Sequence, residues 1–243
     1  MSQVRRLAAV IGALAVLLAI AAPAAAASPT TLVVTEIRMA PSAAAPSSAV
    51  GIAPPPCQDN AFRTLGGKQA GTYQWSFKSS TTPSGLNKNS VAAVLQRSFH
   101  NITGENNDCG RPDKVSATDQ YLGTTTRAPN CASRDSHNVV GFGKLDPGVL
   151  AVTCYWINGG KIVEADMKIT TRESWALSMA SCHGNMPLLE STITHEAGHV
   201  FGLDHVGENR HGRLTMSPYL DGPCEDNEAT LGLGDMLGLE SMY

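Results

Sequence analysis

Apolar and polar positions along this chain change period several times, and each change marks an element. Residues 73–77, Tyr-Gln-Trp-Ser-Phe, alternate with period two, as a strand with one buried face does. Over 91–99 the apolar residues recur at three and four positions, the spacing of an amphipathic helix. Residues 149–157 are strongly strand-like, the triplet Asn158-Gly159-Gly160 reads as a turn, and 162–170 follow as a second strand, so the pair is expected to be adjacent or a hairpin. A helix is predicted over 188–201 with Leu189, Ile193, Ala197 and Val200 towards the core, and a last one over 229–242 with Leu231, Met236 and Leu239 as its apolar face. A strand-rich half followed by a helix-centred half suits an α+β domain with a cleft between two lobes.

The 243 residues divide by composition into three parts. Arg5 and Arg6, an apolar run over 7–22, Pro23 and the tract Ala25-Ala26-Ala27 read as a secretory signal over 1–27, cut after Ala27. Residues 28–56 are rich in Ala, Pro and Ser and read as a linker or disordered arm. Within it, 31–40 is an apolar patch long enough for one strand but not for a folded inhibitory domain. Residues 57–243 are then one compact domain, large enough for its own core. In an exported chain the six cysteines, Cys57, Cys109, Cys131, Cys154, Cys182 and Cys224, imply three disulfides. Cys182 with Cys224 is the favoured pair, because they flank the 188–201 helix and the loops after it. Net charge is −3, pI near 6.1, with no basic cluster, so no nucleic-acid partner is indicated.

The chemistry concentrates in residues 195–205, His-Glu-Ala-Gly-His-Val-Phe-Gly-Leu-Asp-His. Four helical positions advance about 400°, so His195 and His199 leave the same face one turn apart and can bind one metal ion. Gly202 can take a positive φ, which lets the chain turn and return His205 as a third ligand. Three protein ligands leave a position for water, and Glu196 is placed to take a proton from it without ligating.

This motif resembles the signature of the metzincin metallopeptidases, in which it is followed by a methionine turn. Leu214-Thr215-Met216-Ser217-Pro218 is similar to that turn, and its Met-x-Pro spacing resembles the matrixin branch. The C-terminal stretch 230–243 resembles the closing helix of matrixin catalytic domains, 162–170 their edge strand, and 71–86 with the following helix their opening strand and first helix. The resemblance implies a metzincin-type fold: a mixed twisted sheet with two main helices, then a smaller C-terminal subdomain holding the methionine turn and closing helix. It implies a secreted zinc-dependent endopeptidase with one catalytic zinc on His195, His199 and His205, and Glu196 as general base. Gly202, Met216 and Pro218 would support the site, and Tyr219 would line a specificity pocket or lie on the surface. Partners would be protein or peptide substrates, with no stable membrane association and a monomeric chain. The second reading is an inactive or highly selective zinc-containing peptide-binding protein of the same fold.

Other motifs are weaker. Cys109-Gly-Arg-Pro-Asp resembles the cysteine switch of matrixin propeptides, but it follows the first strand and helix, so a disulfide is expected instead. Asp146, Glu164 and Asp166 could bind calcium, but carboxylates near strand ends are usually solvated, and calcium is unsupported. Asn101-Ile-Thr is a glycosylation acceptor where the host glycosylates. His100, His137, His183 and His211 are expected to be structural or exposed.

Overall fold

Two positive-φ glycines, Gly159 (57°) and Gly160 (73°), turn the chain back on itself and join the two longest strands. In the computed structural model, which describes residues 30–40 and 53–243, β7 (Val149–Asn158) and β8 (Lys161–Thr170) pair antiparallel across this turn, from Ala151 opposite Ile169 to Asn158 opposite Lys161. The signal peptide expected over 1–27 lies outside the described residues.

Beyond β8 the sheet continues in parallel through β6 (Val139–Gly143), β4 (Tyr73–Phe77) and β5 (Asp119–Thr124), while short β3 (Lys68–Gln69) pairs the other end of β8. Parallel β4 and β5 require a crossover, supplied by α1 (Lys88–Thr103). Asn87 starts this helix by accepting the amides of Asn89 and Ser90 at 2.9 and 3.1 Å. Its buried residues Val91, Val94, Leu95, Phe99 and Ile102 form a stripe, and Tyr73, Trp75 and Phe77 bury the facing side chains of β4. Trp75 stacks on Phe99 with ring centroids 4.6 Å apart. The class is α+β, with a mixed sheet.

The helix α2 (Leu189–Val200) is buried on nearly every side, only Glu190 being partly open. It packs on α1, where Arg97 pairs with Glu190 at 2.8 Å and Asn101 donates to Thr194 at 3.2 Å, and it touches β7 and β8 of the sheet. After α2 come β9 (Leu203–Asp204), paired with β2 (Arg63–Thr64), then α3 (Glu208–His211), β10 (Tyr219–Leu220) and α4 (Leu233–Glu240). The last helix is shorter than the pattern suggests. Leu231 is buried but precedes it, and a short 3-10 turn at Asn227–Ala229 takes the first positions.

Three disulfides join Cys57 to Cys109, Cys131 to Cys154 and Cys182 to Cys224. Among the described residues no helix is long and apolar enough to cross a membrane.

Four expectations are corrected. Within the expected linker or disordered arm, the apolar patch long enough for one strand forms β1 (Thr31–Met39), a full member of the sheet rather than part of an arm. It runs antiparallel to β7 and parallel to β10. The segment 162–170, likened to an edge strand, is interior, flanked by β7 and β6. Glu164 and Asp166 are buried rather than solvated. Glu164 accepts the amides of Asp135 and Ser136, and Asp166 those of Asn130 and Val139, so both carboxylates pin the 130–139 loop. Asn101 is buried in α1 with its amide bonded to Glu190 and Thr194, so the folded chain cannot accept a glycan there.

Candidate metal centre

Helix geometry sets the first two histidines. His195 and His199 lie on consecutive turns of α2, both fully buried, and their Nε2 atoms are 3.1 Å apart. The helix ends at Val200, and just past its cap Phe201 the chain turns at Gly202, whose φ is 100°. A side chain there would be strained and would also run into the carbonyl oxygen of Gly67, so glycine is required twice over. The turn delivers His205, whose Nε2 lies 3.0 Å from each of the other two. These three residues form a group that could hold a metal ion.

The tautomers follow from what the other ring nitrogens touch. His195 Nδ1 donates to the carbonyl of Thr215 at 2.7 Å and His199 Nδ1 to that of Leu203 at 2.8 Å. Their Nε2 atoms therefore carry lone pairs into the centre, and lone pairs cannot hydrogen-bond one another. Protonation is a poor remedy, because burial pushes His195 well below the ordinary histidine range and His199 down to about 3. Burial lowers His205 as well. Convergent neutral imidazoles, two of them oriented by backbone carbonyls, are the donor set that a divalent transition metal satisfies.

Glu196 is fully buried beside the triad. Its Oε2 accepts the hydroxyl of Thr153 on β7, and its Oε1 accepts the backbone N–H of Ile37 on β1 at 3.1 Å. Burial pushes its carboxyl up to about 8, against the pull of those two donors.

The floor is built by 214–218. Met216 is buried, with its sulfur against Gly198 of α2; any Cβ at 198 would collide with that sulfur. Asp235 of α4 shapes the turn by accepting the amides of Thr215, Met216 and Gly232 at 2.9, 3.2 and 3.0 Å. Because Thr215 also orients His195, the turn connects α4 to the metal group. Pro218 and Tyr219 lie just beyond it, beside β1, with the Pro218 carbonyl accepting the Arg38 amide at 3.1 Å. A cavity of about 600 Å³ opens between β1 and the triad, lined by Val33, Glu36, Leu65, Tyr155, Asp204 and His205.

Sequence reasoning missed Thr153, Gly198 and Asp235. Thr153 and Asp235 act across more than 15 residues of chain, so no spacing rule could find them, whereas Gly198 inside the motif signals a close approach. Of the remaining histidines, His211 bonds Asp59 at 2.8 Å, a structural contact.

No family model matches the chain, and no curated protein matches its sequence.

Proposed function

We propose that this chain is a secreted zinc-dependent endopeptidase of metzincin type, similar to the matrixins. The observation that carries the reading is the convergence of three histidine Nε2 atoms within 3.1 Å beside a buried glutamate that is not one of them. A structural site would normally be closed by a fourth protein ligand, often cysteine, and all six cysteines are in disulfides. Zinc suits three imidazoles, and when bound it would polarise the scissile carbonyl and lower the pKa of a coordinated water.

The protein's own residues do the rest. His195, His199 and His205 would hold the ion, the first two in tautomers fixed by the carbonyls of Thr215 and Leu203. Glu196, with a carboxyl raised towards neutrality, takes a proton from water and returns it to the leaving nitrogen. Thr153 fixes the rotamer of that carboxylate. Met216, Gly198 and Asp235 support the floor on which His195 turns. The three disulfides fit an oxidising, extracellular setting.

The test is hydrolysis of casein by the zinc-loaded secreted protein, with and without a zinc chelator, beside Glu196→Ala. Cleavage should be chelator-sensitive and should fall by at least about 10³-fold in the variant, which keeps its zinc. Stoichiometric zinc with no cleavage of any unstructured protein would refute the enzyme and favour a peptide-binding role.

A further inference from the structure

The strand β1 lies where a peptide substrate of this site would have to lie. An extended peptide reaching Glu196 needs a sheet edge on which to pair its backbone, and the strand above Glu196 is β7, whose Thr153 touches the carboxylate. The outer edge of β7 is taken by β1, in continuous antiparallel register from Thr31 opposite Ile157 to Ile37 opposite Ala151. On its other side β1 is held beyond Ile37 by the segment after the methionine turn, through Arg38 N to Pro218 O at 3.1 Å and Ala40 N to Leu220 O at 3.0 Å. The segment is thus gripped on both sides of one peptide bond. The nitrogen of that bond, Ile37 N, sits 3.1 Å from Glu196 Oε1.

Two further observations favour an occupant of the groove over a permanent strand. The Tyr155 hydroxyl is buried in the cavity wall beneath β1 and has no hydrogen-bond partner among the described residues, a polar group left dry by the strand above it. The Glu36 side chain does not plug the metal group. Its Oε1 is bound by Arg38, with Nε at 2.7 Å, and among the described residues the convergent ligand set holds only the three histidines. What β1 presents to the site is main chain, in the position of a bond to be cut.

We infer that β1 is the enzyme's own first substrate: the chain hydrolyses its Glu36–Ile37 bond, and until that cut the strand closes the groove to other peptides. The inference rests on the peptidase reading above. One water is consumed; its oxygen bonds to the Glu36 carbonyl carbon, the C–N bond breaks, and Glu196 passes a proton to Ile37 N. The products are a carboxylate at Glu36 and an amine at Ile37. Ile37 itself is fully buried, so the residue after the cut fills an apolar pocket, and the same preference for a branched aliphatic residue there should extend to other substrates.

The experiment uses the full secreted chain, first purified in chelator. Amide hydrogen exchange followed by mass spectrometry should show the β7 amides that face β1 protected in the metal-free chain and released in Ile37→Asp, with the β7 amides that face β8 and with α2 still protected in both. Equal protection in the two would overturn the placement of β1. Zinc is then added, and intact mass and N-terminal sequencing are followed alongside casein hydrolysis. The expected result is a new N-terminus reading Ile-Arg-Met-Ala, absent in Glu196→Ala, with casein hydrolysis lagging until the cut is made. Casein hydrolysis without lag by a chain whose Glu36–Ile37 bond stays intact sinks this inference and leaves the peptidase standing. Cutting at that bond in Glu196→Ala also overturns it, since another protease is then responsible. A zinc-loaded protein that cuts neither itself nor casein refutes the peptidase reading beneath it.

Discussion

Thr153→Val isolates the one side-chain hydroxyl bonded to the proposed base. Thr153 is fully buried on β7, and valine keeps its branched shape while removing the hydroxyl that donates to Glu196 Oε2. That donor favours the ionised carboxylate, opposing the burial that already pushes Glu196 up to about 8. A hydrogen bond to a charged group is worth about 1.5–3 kcal/mol. At 1.36 kcal/mol per unit, its loss moves the Glu196 pKa up by about 1–2 units. A general base must be ionised to act, so the acid limb of kcat/KM should move up by that amount. Activity on the acid side should fall about ten- to hundredfold, with recovery at higher pH. The assay is kcat/KM on a quenched-fluorescence peptide from pH 5 to 10 for both proteins, each with measured zinc content. The reasoning is refuted by an unmoved acid limb, whether activity is intact or lowered equally at every pH. The second outcome would make Thr153 merely a packing residue.

Two other outcomes follow from the structure. Replacing Cys182 and Cys224 together by alanine opens a loop whose ends are 42 residues apart and which contains α2 and the methionine turn. Loop-closure entropy puts the loss at about 4 kcal/mol, and a urea-unfolding difference under about 1 kcal/mol would show that the bridge constrains little. In the metal-free chain burial pushes Asp166 up to about 7 and Glu228 to about 8, as it does Glu196. Groups whose folded pKa lies above the unfolded value stabilise most at low pH, and that contribution fades as pH rises through the folded pKa. Between pH 6.5 and 8, above the ordinary histidine pKa, unfolding free energy should therefore drop by about 2–4 kcal/mol, and a rise in the urea midpoint would contradict it.

The candidate metal site was legible because it is local. His195, Glu196, His199, Gly202 and His205 span eleven residues, and helix periodicity plus one glycine turn is enough to bring the imidazoles together. The hairpin of β7 and β8 was legible for a similar reason, since two positive-φ glycines separate two strand-like runs. Sequence alone could likewise fix the number of disulfides expected, from an even cysteine count behind a signal-like leader.

What depends on pairing across distant chain was not legible. In β1, Val33, Thr35 and Ile37 turn inward while Leu32 and Val34 are exposed, so the polarity pattern is inverted in part and the strand hides in an Ala/Pro/Ser-rich region. Its partner β7 lies more than a hundred residues away, and backbone hydrogen bonds carry no side-chain signature. Glu164 and Asp166 look like surface charges in a list of residues, and only the loop folded over them reveals that amides consume their oxygens. Asp235 is one acid in a closing helix until the tertiary fold sets it against two amides of the 214–218 turn, those of Thr215 and Met216. The local spacing of residues 195–205 was enough to bring the three histidines and Glu196 together, because helix periodicity and one glycine turn dictate where those side chains point. Which strand covers Glu196, which backbone amide its carboxylate meets and what orients it were set by the folded core, because those depend on hydrogen bonds closed between segments that meet only when the core forms.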